Sequence, residues 1–164
     1  MRRKTAVIAD AEKLLSKRLT KKLSQLGYKV KVMNGSRKML SDKIDLLISG
    51  TCRYETVSPV INRMKAENSG SIIYLGSTVG MDGEKMNSYI RSSEGYEYLL
   101  REQIKGTAVK LSFVHQCFTG YSFMEDINSR YRIHSFDTRH SADKLANAVV
   151  ELAASGESRD ICFK

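Results

Sequence analysis

The stretch from Gly70 to Arg101 constrains the fold most, because it joins a short apolar run to a segment with helical periodicity. The run Ser71–Leu75 is nearly continuous in apolar residues and is bounded by glycines, which is typical of a strand buried on both faces of a parallel sheet. Polar Ser77 and Thr78 follow, and then a turn that contains glycine. Four residues beyond it recur at helical spacing and predict one face of a helix: Tyr89, Ser93, Tyr96 and Leu100.

This stretch places two hydroxyl groups at the edge where open α/β sheets bind ligands. Ser77 is expected at the carboxyl end of the strand, and Tyr89 early in the helix that follows. Together they indicate either acid–base chemistry or the binding of a small molecule. The structural alternative is that Ser77 only ends the strand, while Tyr89 packs its ring in the core and bonds its hydroxyl to backbone or water.

The two hydroxyl residues resemble the core of the short-chain dehydrogenase/reductase family. In that family a strand ends in a catalytic Ser, and the Tyr of a Tyr-x-x-x-Lys pair follows in the next helix. Ser77 and Tyr89 match in type and spacing, and Gly95 matches the small residue after the Lys. Ser93 stands where the family has the Lys itself. Without that cation, a phenol with a pKa of about 10 forms very little tyrosinate at neutral pH, so the resemblance implies remnant catalytic positions that are not competent.

The start of the chain predicts the opening of a Rossmann-like unit. Thr5–Ala9 has the pattern of a buried strand, Asp10 is suited to cap the next helix, Gly27 to end it, and Lys29–Met33 predicts a second strand. The helix between the strands has an apolar face formed by Leu15, Leu19, Leu23 and Leu26.

The turn between this strand and this helix lacks the glycines that a dinucleotide requires. A pyrophosphate needs them because the backbone must approach it closely and the amides of the helix start must face its charge. Against the family's Thr-Gly-x-x-x-Gly-x-Gly pattern, the glycine positions fall on Asp10, Leu14 and Ser16. The carboxylates of Asp10 and Glu12 would also repel the anion. We therefore expect that the chain binds no NAD or NADP.

The middle of the chain is shorter than the resemblance requires. Only residues 34–43 separate the second strand from the next buried strand, Ile44–Ser49, which leaves no room for a strand and a helix between them. The resemblance thus implies that the family's third strand and its helix are cut down or absent. Ser58 and Pro59 predict the start of the following helix.

The last part of the chain predicts two more strands and a helix. Thr107–Val114 alternates like a strand near a sheet edge, and Ile161–Phe163 is suited to close the sheet. Ser141 and Gly156 bound the predicted helix, and His115–Arg139 is expected to be a long irregular segment that covers a site or makes an interface. We therefore predict one domain over residues 1–164, an α/β Rossmann-like fold of three layers with a mostly parallel sheet of five or six strands.

The positive charge of the chain is concentrated near its start. Residues 1–43 hold 13 Lys and Arg against 3 Asp and Glu, whereas residues 44–164 hold 14 against 15, for a net charge of +9. This asymmetry indicates either a solvated basic helix face or an anionic partner such as nucleic acid or a membrane. The basic helix has no interleaved aromatic residues and no known nucleic-acid motif, so we favour the solvated face.

Cysteine and hydropathy patterns narrow the class of protein further. Cys52, Cys117 and Cys162 form no close pair, and no histidine has ligand spacing, so neither a disulfide framework nor a metal site is predicted. The apolar run Thr5–Ala9 is too short for the core of a signal peptide or for a membrane span. We expect a protein of the cytoplasm that is not bound to a membrane.

These observations predict a non-catalytic relative of the dehydrogenases that acts as a structural or regulatory subunit through protein contacts. It would form a homodimer or a heteromer with an active member of the family. The family commonly dimerises through the helix that carries the Tyr and the one before it, which implies contact surfaces at Ser58–Asn68 and Met86–Lys105. Two alternatives stay open: a small NAD(P)-dependent oxidoreductase with an altered cofactor mode, and nucleic-acid or anion binding by the basic N-terminal helix.

Overall fold

A computed structural model describes the backbone of residues 2–9, 11, 13–33, 42–50, 54–77, 96–116 and 138–162. Apart from two successive strands, the described strands and helices alternate along the chain, as expected where apolar β-branched runs are separated by amphipathic segments. In chain order the described elements are β1 (Thr5–Ala9), α1 (Lys13–Gln25), β2 (Lys29–Met33), β3 (Leu46–Ser49), α2 (Tyr54–Ala66), β4 (Ser71–Ser77), α3 (96–104), β5 (Lys110–Gln116), α4 (Thr138–Ser155) and β6 (Ile161–Cys162).

The six strands form one sheet in the order β2-β1-β3-β4-β5-β6. Every neighbouring pair is parallel, which confirms the predicted Rossmann-like sheet. β2 is an edge strand of this sheet, and the chain crosses from it over β1 to β3. The short connection of residues 34–45 accounts for this order, because it cannot hold a strand and a helix on the far side of β2.

Helices cover both faces of the sheet, so the predicted three-layer arrangement is confirmed. In β1 the side chains of Ala6 and Ile8 enter one core cluster and those of Val7 and Ala9 the other, because successive residues of a strand point to opposite faces. The first cluster lies under α1 and α4 and the second under α2 and α3, with these buried helix residues: Leu15, Leu19, Leu23, Leu145 and Val149 in the first, Val57, Ile61, Met64 and Leu100 in the second.

Helix α2 begins earlier than the sequence predicts. It starts at Tyr54, and Pro59 lies inside it instead of at its first turn. A proline has no N–H to give to the carbonyl four residues before it, here that of Glu55. The Ser58 hydroxyl donates to this carbonyl instead, at 3.4 Å, which partly replaces the missing backbone bond. The Ser-Pro pair therefore did not mark the helix start, because a side-chain donor made the proline tolerable within the helix.

The end of α1 also differs from its prediction. Leu26 was expected on the apolar face but is 45% exposed. The helix ends at Gln25, the Leu26 amide makes the last helical bond to the Lys22 carbonyl at 3.2 Å, and Gly27 then turns the chain with a φ of 86°. Tyr28 takes the buried place in the cluster beneath α1, and its amide donates to the Leu23 carbonyl at 3.0 Å.

Strand β5 is the next-to-last strand of the sheet, near an edge as its alternating pattern predicts. It runs from Lys110 to Gln116, and β6 covers its outer side. Ser112 is consequently only 3% exposed and Val114 is fully buried. Thr107, which was assigned to this strand, belongs to the turn after α3, where its amide and hydroxyl both donate to the Ile104 carbonyl at 3.0 and 2.6 Å.

None of the helices of the described residues combines the length and the apolarity that a membrane crossing requires. Helix α4, which has 18 residues, begins at Thr138 and not at Ser141 as predicted.

Candidate functional site

The carboxyl ends of β1, β3 and β4 meet at one edge of the sheet. Ala9 at the end of β1 is paired with Ser49 at the end of β3, and the Gly50 amide donates to the Ala9 carbonyl at 3.0 Å. Ser49 is in turn paired with Tyr74 of β4. Ser77 is the last residue of β4, paired with Gln116 of β5. This edge is where parallel α/β sheets bind ligands, so it is the candidate site of the chain.

Two hydroxyl groups lie side by side at this edge. The Tyr96 Oη is 3.5 Å from the Ser49 Oγ, and Ser49 is only 1% exposed. The Ser49 hydroxyl also lies 3.1 Å from the Gly50 carbonyl, to which it can donate. Either hydroxyl can donate in the contact between Ser49 and Tyr96, since each has one proton and lone pairs that accept.

An aromatic cluster holds Tyr96 in this position. Its ring stacks on Tyr74 with a centroid distance of 4.8 Å and an angle of 24°, and meets the edge of Tyr54 at 6.2 Å and 71°. Tyr74 also meets Phe113 of β5 at 5.8 Å and 78°. Arg101 lies over the other part of this cluster, 4.3 Å from the Phe113 ring centre. Contacts of this kind fix both the place and the tilt of an aromatic ring.

The chemistry of these groups is that of neutral hydroxyls. Burial raises the pKa of the Tyr54 phenol above its ordinary value, so it stays protonated at neutral pH. Neutral hydroxyls can orient a polar ligand by hydrogen bonds but supply no charge. In the described ranges, no three His, Cys, Asp or Glu residues lie close enough together to hold a metal ion.

The structure describes only some of the site residues that the sequence predicts. Ser77 lies at the carboxyl end of its strand, at the same edge as Ser49. Tyr89 and Ser93 lie outside the described residues, so their roles stay predictions. The pair of Ser49 and Tyr96 was missed, because Tyr96 was read only as one residue of a helix face and the two lie 47 residues apart.

The residues of the turn after β1 and of the start of α1 decide whether a dinucleotide can bind there. Helix α1 starts at Lys13, so Leu14 and Ser16, two of the expected glycine positions, lie within its first turns. Both side chains are partly buried against the protein. Glycine is needed there because any side chain stands between the backbone and the pyrophosphate. These residues do not fit a dinucleotide bound in the usual way. Asp10 and Glu12 lie outside the described residues.

An open groove of about 480 Å³ lies away from this edge, at the start of β5. Its polar groups are already engaged within the protein. Arg101 pairs with Asp160 at 3.2 Å, Lys110 donates to the Gly156 carbonyl, and the Thr107 hydroxyl is used in the turn after α3. We therefore assign no ligand to this groove.

Comparison with known proteins agrees with this architecture. The chain is similar to an oxidoreductase of the short-chain dehydrogenase/reductase family from Burkholderia thailandensis, with 13% identity, a TM-score of 0.66, and 99% of this chain and 91% of that chain covered. It is similar to serine dehydrogenase from Escherichia coli, with 14% identity and a TM-score of 0.61; the match covers 97% of this chain and 96% of that chain. It is also similar to ribose-5-phosphate isomerase from Brucella melitensis 16M, with 17% identity and a TM-score of 0.73; the match covers 99% of this chain and 92% of that chain.

These similarities concern the fold. No protein-family model and no curated protein matches the sequence. At such low identity a shared fold does not carry a shared reaction, and the isomerase beside the dehydrogenases illustrates this. The resemblance seen in the sequence is nevertheless supported over almost the whole chain. The protein therefore has the Rossmann-like fold of the short-chain dehydrogenase/reductase structures that it matches.

Proposed function

We propose that this protein is a non-catalytic, dehydrogenase-like subunit that acts through protein contacts, as a homodimer or as a heteromer with an active relative. The observation that carries the proposal is Tyr98 on α3, whose side chain is 68% exposed. Among the large hydrophobic residues of the described chain, only Leu26 and Val32 are also exposed, at 45% and 37%. Tyrosine is enriched among the residues that dominate binding at protein interfaces.

The surroundings of Tyr98 suit an interface. Helices α2 and α3 pack together, since Lys65 Nζ donates to Gln103 Oε1 at 3.2 Å and Tyr54 touches Tyr96. We name their exposed residues the α2/α3 face. A large exposed aromatic residue with polar and charged side chains around it matches an interface anchor with a polar rim. The members of the α2/α3 face are Glu55, Asn62, Ala66, Tyr98, Arg101, Glu102 and Lys105.

Tyr98→Arg is expected to dissociate the assembly. Burying an unpaired cation in place of the phenol should weaken association by about 2 kcal/mol or more, which is a change of about 30-fold in Kd. Analytical ultracentrifugation at micromolar protein measures the change. Leu26→Arg is the matched control, because it introduces the same charge at another exposed apolar residue. A wild-type monomer that co-purifies with no reductase would contradict the proposal, as would equal dissociation by Leu26→Arg.

A measurement of cofactor binding tests separately the proposal that the protein is not catalytic. Leu14 and Ser16 occupy the volume that the pyrophosphate needs, and Ser93 replaces the cation of the family's Tyr-x-x-x-Lys pair. Calorimetry with NADH and NADPH should therefore show no saturable binding at submillimolar ligand. A variant with Ser93→Lys and glycines at positions 10, 14 and 16 should gain affinity if its turn keeps its shape. Saturable binding by the wild type would favour the oxidoreductase alternative.

A further inference from the structure

Positive charge dominates the first part of the structure. Residues 2–33 include ten Lys and Arg against two acidic residues, Asp10 and Glu12. Half of these cations are engaged by the protein itself. Arg2 pairs with Asp45 at 2.6 Å, Arg18 with Asp143 at 3.1 Å, and Arg3 donates to the Gly27 carbonyl at 3.0 Å, while Lys29 and Lys31 both contact Asp42 at 3.0 Å.

The two β2 lysines share the negative charge of one carboxylate, that of Asp42. Their hydrogen bonds lower the pKa of the Asp42 carboxyl to about 2, so it remains ionised beside them. The remaining cations, Lys4, Lys13, Lys17, Lys21 and Lys22, make no ion pair within the described part of the chain.

Three of these lysines form a line along α1. Lys13, Lys17 and Lys21 are all exposed and follow each other at every fourth residue, about 6 Å apart along the helix axis. We name them the lysine stripe. Leu15, Leu19 and Leu23 occupy the opposite side of the helix and are at most 2% exposed. The stripe therefore points away from the sheet.

We propose that the lysine stripe is a docking surface for nucleic acid and contacts its phosphate backbone without reading the base sequence. A row of cations that make no ion pair with the described residues complements a linear polyanion, and each cation that meets a phosphate releases condensed counterions. No aromatic residue lies between Lys13 and Gln25 to stack on bases, so the contact is with the backbone.

The same helix is poorly suited to a membrane surface. A helix that lies in a bilayer interface inserts an apolar side into the lipid. The apolar side of α1 is used for the protein core, where Leu15, Leu19 and Leu23 pack against the sheet. The stripe also lies on the opposite face of the sheet from α2 and α3, so it does not compete with the α2/α3 face for a partner.

Fluorescence anisotropy with a labelled mixed-sequence oligonucleotide, single-stranded and duplex, tests the docking surface. The wild type should bind at low salt and lose affinity steeply as salt rises. Lys17→Gln with Lys21→Gln should reduce the slope of log affinity against log salt by about 1.4 for single strands and about 1.8 for duplex. Lys43→Gln with Lys144→Gln removes the same charge at two exposed lysines outside both α1 and the α2/α3 face, and should leave the slope near that of the wild type.

Three outcomes would overturn the proposal. The first is the absence of detectable binding at low salt, and the second is an equal loss of slope in both double variants, which would reflect net charge alone. The third is binding to phosphatidylserine vesicles, but not to oligonucleotides, that the Lys17→Gln and Lys21→Gln pair abolishes. Circular dichroism of the variants confirms that α1 still forms. None of these results depends on the oligomeric state or on cofactor binding.

Discussion

Gly70→Ala is expected to destabilise the fold by about 2–4 kcal/mol. Gly70 has a φ of 107°, which a residue with a side chain rarely adopts. A β-carbon there would lie 2.6 Å from the Met64 Cε and 3.1 and 3.3 Å from the carbonyl oxygens of Ile44 and Asp45. The methyl group of Met64 can move away, but the two carbonyls belong to the segment leading into β3. The cost therefore combines backbone strain with a close contact that the sheet cannot relieve.

Gly27→Ala is the matched control for this substitution. Gly27 also has a positive φ, of 86°, but nothing lies within 4 Å of the β-carbon that alanine would add. Gly27→Ala should lower the free energy of unfolding only by the cost of backbone strain, about 1 kcal/mol. Urea unfolding followed by far-ultraviolet circular dichroism measures both variants. Equal losses would show that the contacts around Gly70 are not tight and would contradict the packing argument.

Tyr74→Ala is expected to cost about 3–5 kcal/mol and to release Tyr96 from its place beside Ser49. Tyr74 is 1% exposed and joins Tyr96 to Phe113, so its removal leaves a cavity in the middle of the aromatic cluster. Tyr74→Phe keeps both ring contacts and should lose no more than about 1.5 kcal/mol. Chemical unfolding gives these differences in the free energy of unfolding.

A spectroscopic measurement separates the loss of the cluster from a general loss of stability. The chain has no Trp, so its near-ultraviolet circular dichroism comes largely from Tyr and Phe. Tyr74→Ala should reduce this signal under conditions where the far-ultraviolet signal still shows a folded protein, and Tyr74→Phe should largely retain it. An unchanged near-ultraviolet spectrum in Tyr74→Ala would mean that the cluster does not depend on this ring.

Local periodicity predicted the elements well and their ends less well. Thr5–Ala9 and Lys29–Met33 are strands over the predicted residues, the first buried throughout and the second an edge strand with alternating valines. The predictions for Pro59 and Leu26 are wrong, because a side-chain hydrogen bond beside the first and a glycine turn after the second decided where the helices begin and end. The ends of helices depend on one or two contacts, which a periodic pattern of apolar residues does not record.

The candidate site was predicted in its location but not in its members. A strand that ends in Ser77 pointed to the carboxyl edge of the sheet, and the structure places that residue there. The neighbouring pair of Ser49 and Tyr96 could not be found from spacing, since it depends on the docking of α3 against β3 and β4. Tyr89 stays a prediction.

The sequence by itself determined the order and kind of the elements, the buried strands, the lack of glycine in the first turn and the concentration of lysines near the start. These follow from residue type and short-range periodicity, which operate within one element. Only the tertiary structure decided that β1 lies between β2 and β3, that Tyr96 stacks on Tyr74, and that Arg18 of α1 pairs with Asp143. Contacts between distant segments depend on how whole elements pack, and no local pattern records them.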